Sequence, residues 1–199
     1  MLIEKTVKDF VLETASDSPA PGGGSVSALA AAQASALFSM VANLTKDEEV
    51  KKLSSDAAPH IDFFLKAVDR DTEAFNGVMA AFKMPKSTDE EKKIRSGKIQ
   101  EEYKIAANVP FEVGINTLKL LPLAQKLLEK GNPNSITDLG VGLLNLKLAM
   151  EGAFYNVKIN LTSIKDEDYV SEKKSKMKDA LLEMNEKVSA MLSDIESRF

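Results

Sequence analysis

Apolar positions recur every three or four residues along almost the whole chain, and strand-like alternation is nearly absent, so the pattern predicts helices throughout. Val7, Phe10, Val11 and Thr14 mark one face of a short first helix. From Ser25 to Leu44 the residues are small or apolar on every side, with Gln33 and Asn43 the only larger polar ones. A helix with no polar face belongs at the centre of a bundle, and its alanines and serines admit close neighbours. Its serines and asparagine, and the amphipathic segments around it, argue against a membrane span. A further stripe, Val50, Leu53, Ala57, Ile61, Phe64, Val68, Phe75, Val78 and Phe82, predicts one long helix bent or restarted at Pro59. Ser87 with Glu90 has capping-box spacing for a charged helix running toward Asn108. Pro110 kinks that helix or opens another, which Gly131 and Pro133 close. A second mostly apolar helix runs from Thr137 to about Ile164. The last, from roughly Asp168 to Arg198, carries Met177, Leu181, Met184, Val188, Met191 and Ile195 along one side.

These elements make an all-α fold, a single domain over residues 1–199 in which long, partly kinked helices surround a buried helix of small residues. Two helices this apolar predict a self-associating surface. Composition then removes several functions. With 26 basic against 30 acidic residues and no dominant basic run, the chain is not expected to bind nucleic acid. The absence of cysteine excludes disulfides, thiolate nucleophiles and cysteine-held metals. The first ten residues lack the apolar core of a signal peptide, so a cytoplasmic protein is expected. His60, the only histidine, follows Pro59 and cannot build a triad or a multi-histidine metal site within one subunit. It reads as a surface residue, and no metal is expected.

Candidate chemistry lies where polar residues interrupt apolar patterns. Asp71 falls in the stripe between Val68 and Phe75, where a carboxylate is either ion-paired with another helix or functional. On the second apolar helix one face reads Asp138, Gly142, Asn145, Ala149, Gly152, Asn156 and Asn160. That face fits a ligand groove lined by amides and a carboxylate, and equally a close helix crossing through its small residues. In "PAPGGGS", Gly22, Gly23 and Gly24 precede Ser25, which supplies a hydroxyl where a helix needs a cap. The glycines match neither a P-loop nor a dinucleotide fingerprint.

The tracts "PAPGGGSVSALAAAQASALFSMVANLT", "DRDTEAFNGVMAAFKMPK", "AANVPFEV" and "GNPNSITDLGVGLLNLKLAMEGAFYNVKINL" resemble the formiminotetrahydrofolate cyclodeaminase and methenyltetrahydrofolate cyclohydrolase family, in the expected order and over most of the chain. The resemblance implies an all-helical homodimer that binds a tetrahydrofolate derivative in a cleft near the subunit contact, without metal or redox cofactor. It implies ring closure of 5-formiminotetrahydrofolate to 5,10-methenyltetrahydrofolate with loss of ammonia, or hydrolysis of the methenyl compound to the 10-formyl form. A folate-binding helical dimer without catalysis is the reading of another class. Ring closure needs a base near N10 and an acid near the departing amine, and Asp71 and Asp138 are the candidates, burial being able to keep one protonated. Alternatively one of them grips the pterin, whose 2-amino and N3–H groups are donors. By the same resemblance Asn132, Asn156 and Asn160 orient the folate, and Gly22, Gly23, Gly24 and Ser25 bring a helix N-terminus close to it. Lys83 and Lys86 meet the glutamate tail or serve only the helix dipole. Thr137, Gly142 and Pro59 depart from the family pattern, and Pro59 puts the position of Asp71 in question. No tract resembles the formiminotransferase domain of the fused enzymes, so that transfer activity is not expected.

Overall fold

The computed structural model describes every residue from Met1 to Phe199, and its regular structure is helical throughout. The helices are α1 (Val7–Thr14), α2 (Gly23–Asn43), α3 (Glu48–Lys51), α4 (Leu53–Phe82), α5 (Asp89–Thr117), α6 (Leu121–Lys130), α7 (Ile136–Leu161) and α8 (Glu167–Glu196), with short 3₁₀ turns at Leu2–Glu4, Leu118–Leu120 and Pro133–Ser135. Helix α2 lies at the centre, packed mainly on α4 and α7; α5 bridges those two, and α8 covers α7. Ala28, Ala31, Ala34, Phe38 and Ala42 of α2 are completely buried. The helix is long and apolar enough to cross a bilayer, but its neighbours cover most of it, which satisfies the same apolar surface.

The small face of α7 is a close crossing at its middle. Gly142 leaves the space that the Phe38 ring fills, Gly152 accommodates the Ser27 hydroxyl, and Ala149 is fully buried. Side chains at those glycines would push the two backbones apart and open the core. The C-terminal end of that face, at Asn156 and Asn160, opens onto a hollow between α2, α4 and α5.

Several helix boundaries differ from the sequence expectation. Helix α4 is continuous through Pro59, and the break comes earlier, at Lys52 between α3 and α4. Pro59 deprives only Ser55 of its helical partner, and both are exposed, so water replaces the lost bond without moving the helix. The capping box is one residue later than expected: Thr88 Oγ1 accepts from the Glu91 N–H at 3.1 Å, and Glu91 Oε2 accepts from the Thr88 N–H at 3.0 Å. Both Ser87–Glu90 and Thr88–Glu91 satisfy the motif spacing, so the pattern alone could not choose. Helix α5 passes through Pro110, and the restart comes at Leu121, where Pro122 sits in the first turn of α6. Gly131 caps α6 as expected, and the methionine-rich stripe of α8 is buried as expected.

The outer side of α7 remains uncovered. Val141, Leu144, Leu148, Tyr155 and Ile159 are each half or more exposed. They form an apolar seam along one side of a helix whose other side is core.

Candidate active site

The first hydrogen bond within α2 runs from the Val26 N–H to the Gly22 carbonyl, at 3.0 Å. The N–H groups of Gly23, Gly24 and Ser25 therefore have no partner in their own helix. Gly22 occupies the N-cap position and has no side chain with which to accept them. The expected cap, Ser25, instead lies inside the helix and turns its hydroxyl toward α4, 2.9 Å from the Val68 carbonyl. Asp71 of α4 supplies the missing acceptor. Its carboxylate lies where any side chain on residue 24 would have to be, and it engages both the hydroxyl and the N–H of Ser25, with Oγ 3.1 Å from Oδ2. A glycine at 24 is what permits this approach.

Asp71 has no lysine or arginine partner. Arg70 beside it pairs with Glu112 at 2.9 Å, and Asp69 accepts the Leu2 N–H. The ion-pair reading of Asp71 is thus overturned. Burial pushes the Asp71 carboxyl above the usual carboxylate range, and the Ser25 hydroxyl and N–H pull it only part of the way back. A carboxyl held this way takes up and gives back a proton more readily near neutral pH than an exposed aspartate does.

The carboxylate faces a cleft of about 310 Å³ between the N-terminus of α2, α4, α5 and the end of α7. Gly22 and Gly23 form part of its rim, and Phe75, Met79, Phe82 and Tyr103 supply apolar and aromatic walls. The rings of Phe82 and Tyr103 meet edge to face, 6.1 Å apart. Asn156 and Asn160 line the opposite side. Asn160 donates to the Ala106 carbonyl at 3.1 Å and to the Asn156 carbonyl at 2.9 Å. Ala106 is free to accept because Pro110, four residues on, has no N–H to give it. Asn156 donates to the Gly152 carbonyl at 2.9 Å. With both amide nitrogens committed to backbone, both amide oxygens are left as acceptors. An apolar, aromatic cleft that presents a carboxylate and two amide oxygens, beside the hydroxyls of Thr72 and Tyr103, suits a flat ligand rich in N–H donors.

The remaining sequence candidates lie elsewhere. Asn132 is at the opposite end of the bundle, where it donates to the Leu44 carbonyl at 2.9 Å and accepts the Asn134 N–H at 3.0 Å. Asp138 lies in the first turn of α7, eighteen residues before Asn156 and so about 27 Å along the helix. Within one chain the structure brings Asp71, Gly22, Gly23, Gly24, Ser25, Asn156 and Asn160 together, and leaves Asn132 and Asp138 apart. Lys83 and Lys86 are exposed just past Phe82, at the end of the cleft wall. His60 is half-buried against Phe64 in a shallow hollow with Asp56, Lys119 and Lys126, where burial and then Lys119 lower its pKa. Another hollow, about 610 Å³ between α1 and the α2–α4 pair, has mostly apolar walls and no acid. Sequence reasoning missed Tyr103 and the Pro110–Ala106–Asn160 linkage. No side-chain cluster with the makings of a metal site is present.

The family model described as formiminotransferase-cyclodeaminase matches residues 6–179. The chain is 33% identical, over 92% of its length, to a methenyltetrahydrofolate cyclohydrolase from Methylorubrum extorquens, of which it covers 94%. It is 35% identical to the formimidoyltransferase-cyclodeaminase of Gallus gallus over 96% of its length, and 31% identical to that of Rattus norvegicus over 99%. It spans only 37% and 38% of those two longer proteins. The crystal structure of formiminotetrahydrofolate cyclodeaminase from Thermotoga maritima matches with a TM-score of 0.80 at 27% identity, covering 99% of this chain and 96% of that one.

The environment of Asp71 predicts a stability signature. Its folded-state pKa is raised, so the native state holds the proton more tightly than the unfolded chain does. Relative to a neutral side chain, Asp71 costs nothing below the unfolded pKa and destabilises progressively as pH rises through the folded one. The Asp71→Asn protein is expected to melt higher than wild type at pH 8 and to lose that lead by about pH 4. Calorimetry across this range checks it, and a lead independent of pH would contradict the assignment.

Proposed function

The chain belongs to the formiminotransferase-cyclodeaminase family, and we propose that it closes 5-formiminotetrahydrofolate to 5,10-methenyltetrahydrofolate with release of ammonia. The observation that carries this reading is Asp71, an unpaired carboxylate of raised proton affinity set in a cleft where two amide oxygens also accept hydrogen bonds. Pterin, N10 and the formimino group all offer N–H donors, which match the carboxylate and the two asparagine oxygens. Phe75, Phe82 and Tyr103 flank the ring, and Gly22 and Gly23 keep the rim thin enough for it to enter. Lys83 and Lys86 lie where the glutamate carboxylates would leave the cleft.

With the formimino nitrogen protonated, N10 attacks the formimino carbon and the N10–C bond forms. Asp71 takes the N10 proton and returns it to the former formimino nitrogen. The bond from that nitrogen to carbon then breaks, releasing ammonia and leaving the methenyl cation. One proton moves through one carboxyl per turnover, and the cleft supplies orientation. The cyclohydrolase reading is favoured by the near full-length relative of that activity. It uses the same groups: water adds to the methenyl carbon, and Asp71 takes one proton from it. Asp71 delivers that proton to N5 as the N5–C bond breaks, and the second proton leaves to solvent as the 10-formyl carbonyl forms. The acceptor-rich lining fits a departing amine better, because ammonia brings donors of its own.

The active form in this reading is a homodimer joined through α7. Its exposed seam is centred near position 149, and a two-fold axis there pairs α7 with itself antiparallel. In that register Lys147 meets Glu151 of the partner subunit, and Asp138 of the partner subunit comes level with Asn160. Eighteen residues are five helical turns, so Asp138 and Asn156 share one flank of α7, and the two-fold keeps that flank on the same side. Ile159 belongs both to the seam and to the cleft wall, so the interface closes the cleft. This pairing returns Asp138 to the site as a second carboxylate.

Asp71→Asn is expected to lower turnover of 5-formiminotetrahydrofolate by about 10²-fold or more, read as growth of the methenyl chromophore with ammonia release. Unchanged turnover would remove Asp71 from the chemistry, and no turnover of either folate by wild type would leave a binding protein. Loss of the chromophore from methenyltetrahydrofolate by wild type, without formimino turnover, would select the cyclohydrolase. Mixing inactive Asp71→Asn and Asp138→Asn dimers tests the shared site. Random reassortment is expected to restore roughly a quarter of wild-type activity, since half the dimers regain one intact site. No recovery would place Asp138 outside it.

A further inference from the structure

Ser25 is completely buried, and its hydroxyl has more acceptors than protons. Oγ lies 2.9 Å from the Val68 carbonyl and 3.1 Å from Asp71 Oδ2, with Thr72 Oγ1 at 3.5 Å. One O–H cannot serve Val68 and Asp71 at once. We propose that Ser25 is a hydroxyl rotor: its proton points to Asp71 when the carboxylate is ionised, and swings to the Val68 carbonyl when Asp71 is protonated and donates to Ser25 Oγ. The inference rests on the reading of Asp71 as the proton carrier and adds a positioning residue to it.

Three observations carry it. Val68 lies inside the unbroken α4, so its carbonyl already has a helical donor and is not orphaned when the serine turns away. The Ser25 N–H beside the carboxylate is a fixed donor that suits the anion but cannot reverse for the acid. No other charged group faces Asp71. On α4, Asp69 accepts the Leu2 N–H, Arg70 pairs with Glu112 of α5, and Glu73 is exposed. Tyr103 of α5 is the only other titratable side chain lining the cleft, α7 presents amides, and the rim before α2 presents Pro19 and Ala20. Ser25 is therefore placed to satisfy both states by a rotation about one bond, with no heavy atom moving. A carboxyl that gains and loses a proton in every turnover needs such a partner, because a fixed environment would favour one state at the expense of the other.

The full-length protein, labelled with ¹³C at carbonyl and carboxyl positions, tests this by NMR titration. In wild type the Val68 carbonyl resonance is expected to shift with the same midpoint as the Asp71 carboxyl. In Ser25→Ala the Asp71 midpoint is expected to rise by about 1 pH unit, because the charged form loses the stronger bond, and Val68 no longer follows. Ser25→Cys, with a weaker donor in the same place, is expected to fall between the two and serves if Ser25→Ala does not fold. A Val68 carbonyl silent through the Asp71 transition in wild type would overturn the rotor, as would an Asp71 midpoint unmoved in the variants that fold. If the midpoint moves and the pH profile of turnover does not move with it, the rotor stands and Asp71 is not the proton carrier.

Discussion

A carboxylate seated on the open N-terminus of a neighbouring helix is the contact on which the rest of this site depends. Helix α2 begins with glycines and no capping side chain, so its first N–H groups need an acceptor from outside. Asp71 provides it from α4, and can do so only because residue 24 lacks a side chain. The same contact draws the carboxyl out of solvent, leaves it without a cation, and turns its remaining lone pairs toward the cleft. A cap of this kind contributes about 1 kcal/mol, while holding an unpaired carboxylate in partly apolar surroundings costs more. The arrangement makes poor sense as a stabilising device and good sense as chemistry.

The other walls follow from equally local causes. Pro110 removes one N–H from α5, the freed Ala106 carbonyl takes the amide of Asn160, and that fixes which atom of Asn160 the cleft presents. Gly142 and Gly152 let α2 and α7 cross closely, which brings the end of α7 over the glycine turn. Backbone bonds orient the polar groups, so the acceptors are in place before any ligand arrives.

The helical architecture was legible because each long helix keeps its period, and Asp71 was legible because a charge in an apolar stripe stands out. Asn156 and Asn160 were visible for the same reason on α7. Tyr103 was not, since α5 is charged nearly all round and offered no contrast against which one aromatic residue would show. Pro110 and Pro59 were read as helix breakers, whereas each removes a single bond that water or a distant amide replaces. The face from Asp138 to Asn160 was correct in angle and silent about length. Periodicity places residues on one side of a helix, but about 27 Å separates the ends of that row.

That separation gives the outer seam of α7 its importance. In the proposed dimer, five apolar residues spread along one exposed side from Val141 to Ile159 let the far end of one helix reach the near end of another. The cleft of that dimer takes Asp71 from one chain and Asp138 from the other. The most direct measurement of the central claim is a crystal structure of the protein with tetrahydrofolate bound. The account predicts the pterin between Phe75 and Tyr103, with N10 within about 3 Å of the Asp71 carboxylate. Folate bound elsewhere, or N10 turned away from Asp71, would contradict it.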